Sequence, residues 1–123
     1  METKKALLII GHGSRSIEAK ETFNRIIEAV KSKGIYQHVS GAHMENAAPS
    51  IEEVVDQIYQ EGIREIIAVP YFLYYGIHIK KDIPEKLNLL EKQYRDLKFK
   101  MTKPLEFDES LVNLLLKRIE EIG

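Results

Sequence analysis

The stretch Leu7-Leu8-Ile9-Ile10-Gly11-His12-Gly13-Ser14-Arg15 carries branched apolar residues straight into a histidine held between two glycines. Ala6 to Ile10 is a continuous apolar run closed by glycine, the pattern of a parallel strand covered on both faces rather than one. Glycines at 11 and 13 let the backbone turn tightly and leave the His12 imidazole open on both sides. A chemically versatile ring therefore stands at the carboxyl end of a central strand.

The rest of the chain alternates helix and strand around that run. From Ser16, the apolar Phe23, Ile26, Ile27 and Val30 recur at helical spacing, and Gly34 stops the helix. His38 to Met44 reads as a weaker second strand, followed by the turn Glu45-Asn46-Ala47-Ala48-Pro49. Ser50 with Glu53 forms a capping box for a second helix striped by Ile51, Val54, Val55 and Ile58, and Gly62 ends it. Glu65 to Pro70 is a third strand, and Pro70 limits pairing because it has no N–H to donate. After a long loop, Asp82 and Glu85 suggest another capping box with Pro84 in the first turn, and Ile83, Leu87, Leu90 and Tyr94 mark the inward face of a third helix. Lys98 to Thr102 alternates as an edge strand should, and a last helix follows Asp108. The aliphatic stripes of all these helices read as core.

This β-α-β-α-β-α-β-α order predicts one domain over residues 1–123: a three-layer α/β/α fold with a four-stranded parallel sheet in the flavodoxin-like order 2-1-3-4. Such sheets bind ligands where the strand order reverses, beyond the carboxyl ends of the first and third strands. The loops starting at Gly11 and Tyr71 should wall that crevice, and each carries a histidine: His12 and His78.

Composition narrows the chemistry. Charged residues make up 30% of 123 residues, yet the formal net charge is −1, with no basic stripe for a nucleic-acid backbone. There is no cysteine, so disulfides, thiolate metal sites and thiol catalysis are excluded, and metal ligands must be imidazole or oxygen. The apolar run after Met1-Glu2-Thr3-Lys4-Lys5 is too short for a signal sequence and no stretch approaches a membrane span, so a cytoplasmic protein without membrane contact is expected. A neutral imidazole can accept a proton near neutrality or donate a lone pair to a borderline divalent metal. His38 reads as a hydrogen-bonded surface residue and His43 as a satisfied strand histidine. Lys80-Lys81 and Glu120-Glu121 read as solvated surface, although the lysines adjoin the crevice and could meet a carboxylate.

Gly11 to Arg15, Glu45 to Ile51, and Val69 to His78 with Asp82-Ile83-Pro84 resemble, in order and spacing, three segments of the small class II tetrapyrrole chelatases, the short archaeal-type sirohydrochlorin chelatases. The likeness spans essentially the whole chain. It implies insertion of a divalent metal into sirohydrochlorin, an acidic tetrapyrrole with acetate and propionate arms, cobalt leading to cobalamin and nickel to a nickel-tetrapyrrole cofactor. Position by position, it implies that His12 is metal ligand and proton acceptor and His78 the second metal ligand. It also implies that Glu45 contacts substrate and that Phe72, Leu73, Tyr74, Tyr75, Gly76 and Ile77 line the macrocycle. Ser14, Arg15, Lys80 and Lys81 are weaker additions at the rim. No redox cofactor or nucleotide is required, the metal itself being substrate. Longer relatives look like two fused copies, so a homodimer is expected. The histidine-rich insertion of some relatives is missing, Lys92-Gln93-Tyr94-Arg95-Asp96 standing there instead.

Alternatives are a sirohydrochlorin ferrochelatase for siroheme, with iron as the metal, and a non-catalytic metal or tetrapyrrole carrier. A histidine phosphatase is disfavoured because Gly11 replaces the arginine its motif needs. A hydrolase with a nucleophile elbow is excluded, since no Gly-x-Ser-x-Gly occurs.

Overall fold

The computed structural model describes residues 4–123, with the side chain of His78 outside that description. Four parallel strands, β1 (Lys5–Gly11), β2 (His38–His43), β3 (Glu65–Pro70) and β4 (Lys98–Met101), form one sheet in the order β2-β1-β3-β4. β1 is central, pairing with β2 from Ala6↔His38 to Gly11↔His43 and with β3 from Lys5↔Glu65 to Ile10↔Pro70. As a strand buried on both sides must, it divides its apolar residues between two cores. Ala6, Leu8 and Ile10 pack with α2 (Ile51–Gln60) and α3 (Ile83–Gln93), while Leu7 and Ile9 pack with Phe23 and Ile27 of α1 (Ile17–Ser32).

Local signals place these helices. Ser16 caps α1 by accepting a hydrogen bond from the Ala19 N–H, and Gly34 past its end has φ +72°. The Ser50/Glu53 capping box of α2 is complete in both directions, and Gly62 closes that helix at φ +86°. Pro70 is the last β3 residue paired with β1, as its missing N–H requires.

Two expectations fail. Asp82 does not cap α3: it lies at φ −63°, ψ −48° and makes no capping bond, because a π-helical turn over His78–Asp82 leads directly into the helix. A residue already inside a helical run lacks the extended backbone that aims a cap side chain at the first turn. The second concerns α4 (Glu109–Glu121). Asp108 caps it by accepting from the Ser110 N–H, but none of its residues is buried. Leu115, Leu116 and Ile119 are 64%, 52% and 61% exposed, so its aliphatic stripe is not core within this chain. Periodicity reports that a face needs cover; it does not say which molecule supplies it.

Candidate active site at the carboxyl end of β1

The loops after β1 and β2 are joined in the crevice mouth. The Met44 N–H donates to the Gly11 carbonyl at 2.9 Å and the Glu45 N–H to the His12 carbonyl at 3.3 Å. Gly13, at φ +106°, is obligatory: a Cβ there would sit 1.7 Å from the Glu45 carbonyl oxygen. The Glu45 turn is folded back by the His43 N–H donating to the Pro49 carbonyl, with a cis peptide between Ala48 and Pro49 and Asn46 at φ 62°. The β3 loop joins the same cluster through Tyr71, whose N–H donates to the Ile10 carbonyl at 2.8 Å.

These tethers bring three of the expected site residues together. The His12 ring stands half-exposed, its Nε2 3.9 Å from Glu45 Oε1 and its centroid 5.7 Å from the Phe72 ring, tilted 53°. At 3.9 Å the carboxylate is beyond direct hydrogen-bonding range of the ring nitrogen but faces it across the crevice mouth. An exposed base, a neighbouring carboxylate and an aromatic wall are the groups needed to take a proton from, and seat, a flat nitrogenous ligand.

Leu73, Tyr74, Tyr75 and Ile77 are 51%, 77%, 47% and 63% exposed, with Gly76 open to solvent between them. Leu73, Tyr74 and Tyr75 share an apolar groove of about 730 Å³ with Phe107 and the Leu111, Leu114 and Leu115 side chains of α4. The loop is anchored at its far end by buried Ile79 and by the Ile79 and Lys80 N–H groups, both donating to the Gly76 carbonyl. His78 starts the π-helical turn in this loop; its side chain, expected as a second metal ligand, lies outside the described residues. Among the described residues no group of three or more His, Cys, Asp or Glu side chains is arranged to hold a metal ion. Ser14 is partly buried and its Oγ accepts from the Ser16 N–H, bracing the entry to α1. Arg15, Lys80 and Lys81 are exposed.

The other two histidines differ from one another. His38 is satisfied, at 2.7 Å from Ser40 Oγ and 3.1 Å from Glu61. His43 is a buried strand residue, 7% exposed, but, against the expectation of a satisfied strand histidine, its ring has no hydrogen-bond partner among the described residues and packs on Phe23 at 5.0 Å. Burial, reinforced by the charge of Lys20, lowers its pKa from the usual 6.5. The sequence reading missed this vacancy and Lys20 beside it. The one available signal was that His43 ends the strand paired with the His12 strand.

A parallel sheet of order 2-1-3-4 with a histidine-led crevice at its switch point defines a doubly wound α/β protein of the chelatase type. The chain belongs to the CbiX family, whose model matches residues 6–122. Sirohydrochlorin cobaltochelatase of Methanosarcina acetivorans is 37% identical, the match covering 98% of both chains. That of Methanococcus aeolicus is 41% identical over 71% of this chain and 61% of its own. Among solved structures, the sirohydrochlorin chelatase SirB of Bacillus subtilis subspecies spizizenii, in complex with cobalt, superposes with a TM-score of 0.91 at 28% identity, covering 98% of this chain but 51% of SirB. A putative cobalamin biosynthesis CbiX protein from Marinobacter aquaeolei superposes at 0.83 with 25% identity, covering 95% of each chain. The chain thus spans about half the length of SirB, 61% of the Methanococcus aeolicus relative and nearly all of the Methanosarcina acetivorans and Marinobacter aquaeolei proteins.

Proposed function

We propose that the protein, acting as one domain over residues 1–123, is a sirohydrochlorin metallochelatase that inserts cobalt, and also nickel, into the tetrapyrrole. The observation that carries this reading is the exposed His12 imidazole between Glu45 and Phe72 at the carboxyl end of β1. Insertion exchanges one divalent ion for two pyrrole protons, so the site must present the metal and remove N–H protons. His12 does both in turn, holding the ion through a neutral ring nitrogen and then accepting one pyrrole proton as the ion leaves it, the second proton passing to solvent water at the open crevice mouth. His78 is the second metal ligand. Glu45 contacts the substrate beside His12. Phe72 to Ile77 offer the macrocycle a flat apolar wall, with Ser14, Arg15, Lys80 and Lys81 at its rim. Family membership and the names of the methanogen relatives support cobalt. Imidazoles bind iron, cobalt and nickel with rising affinity whatever the protein, so the ion used follows supply. The cytoplasm, where a biosynthetic enzyme meets both substrates, is its location.

The same reading makes the protein a homodimer. Its support is twofold: the aliphatic face of α4 is left largely uncovered by the described residues, and SirB is about twice as long, this fold matching half of it. A second copy supplies what the other half supplies in the longer chain.

The test is turnover. Purified protein mixed with sirohydrochlorin and Co²⁺, Ni²⁺ or Fe²⁺ should change the tetrapyrrole absorbance faster than the metal alone does, with cobalt and nickel ahead of iron. His12→Ala should lose about a hundredfold or more in rate while remaining folded. No acceleration with any ion would overturn the chelatase reading, and binding of tetrapyrrole without turnover would favour a carrier.

A further inference from the structure

Beside His12, on the α1 side of the sheet, lies an open cavity of about 590 Å³ that the mechanism above does not use. β1 and β2 end side by side there, Gly11 paired with His43, and the first turns of α1 pass over them. Phe23 of α1 is pressed onto this floor: a Cβ on Gly11 would lie 3.0 Å from its ring and one on Gly41 2.8 Å. The Phe23 ring in turn stacks at a tilt against His43 at 5.0 Å and Tyr71 at 6.0 Å.

His43 is the anomaly. More than nine-tenths buried and lining the cavity, its ring has no hydrogen-bond partner among the described residues. Lys20 stands close enough to oppose protonation of His43, itself lines the cavity, and has no ion-pair partner among the described residues. The Ser16-capped start of α1, with its outward N–H groups and positive dipole end, borders the same space. Glu18 is the single acidic side chain on the lining and is exposed to solvent. An ammonium, a neutral imidazole N–H and a helix start facing one cavity form a receptor for an anion.

We propose that this cavity receives a carboxylate arm of the tetrapyrrole, bound by Lys20 and His43 at the start of α1. The inference rests on the chelatase reading. His12 lines the cavity too, so a macrocycle presented to His12 brings its peripheral acetate and propionate groups to the cavity mouth. A charge-assisted hydrogen bond fixes the rotation of the ring in its plane, which the apolar wall of Phe72 to Ile77 cannot do. Lys20 and His43 are thus positioning residues, acting on the far edge of the substrate and not on the reacting nitrogens.

Direct titration of metal-free sirohydrochlorin, followed by its absorbance, tests this. Lys20→Met should weaken binding about tenfold or more and His43→Leu severalfold. Lys20→Arg should restore most of the affinity, and Lys31→Met, in the last turn of the same helix, should bind as wild type. The ¹⁵N resonances of the His43 ring should shift when sirohydrochlorin binds, a change that a packing role would not produce. Unchanged affinity in Lys20→Met overturns the inference, and because Lys20 is only partly buried this variant decides the question even where His43→Leu does not fold. Wild type that neither binds nor metallates sirohydrochlorin overturns the chelatase reading, whereas wild-type turnover with an unaffected Lys20→Met overturns the carboxylate pocket alone.

Discussion

A single methyl group added at Gly13 has no space to occupy. Its φ of +106° lies outside the range L-residues tolerate, and the added carbon would overlap the Glu45 carbonyl that the loop packs against. Gly13→Ala should therefore lower unfolding stability by about 2–4 kcal/mol in urea, and it should separate His12 from Glu45. An unchanged midpoint would contradict the contact. His43 leaves a different signature. Its pKa is lowered in the folded chain, so as pH falls through about 6.5 the unfolded chain takes up a proton that the folded chain refuses. The stability it contributes is present above that pH and is lost below it. Unfolding free energy should fall between pH 7.5 and 5.5, and His43→Leu should fall less over the same interval.

At the scale of elements, what was legible in the sequence was whatever is encoded locally. The apolar run ending in Gly11, the Ser50/Glu53 box and Pro70 each specify a backbone state through their own chemistry, and the strands and helices stand where those residues put them. The start of α3 was not legible, because Asp82-Ile83-Pro84-Glu85 has the composition of a cap whether or not a helical turn already precedes it. His43 is a similar case: pairing with β1 and burial under Phe23 follow from the fold, but a missing hydrogen bond is a property of the assembled site. α4 is the plainest instance. Its stripe of Leu111, Leu114, Leu115 and Ile119 has helical spacing, each well-buried aliphatic side chain is worth about 1.5–3 kcal/mol, and the described residues leave much of that stripe exposed, which is the surface proposed for a second copy. On the homodimer proposal, wild type should scatter light as a dimer at micromolar concentration and Leu115→Glu as a monomer, without loss of helical content. A wild type that is already monomeric there would remove the need for a partner.

For the molecule as a whole, the sheet separates stability from function. Both cores lie along the length of the strands, and the residues proposed for chemistry, His12, Glu45 and Phe72, all come from loops beyond their carboxyl ends. The backbone of one such loop is bound to the segment that leads into α4, the Leu105 N–H donating to the Phe72 carbonyl at 2.9 Å. The wall proposed for the macrocycle therefore hangs from the same piece of chain as the surface proposed for the second copy. Under these two proposals catalysis obeys mass action twice, once in substrate and once in enzyme. Specific activity should decline on dilution below the dimer dissociation constant and return on concentration, and a rate strictly proportional to enzyme over that range would uncouple the two.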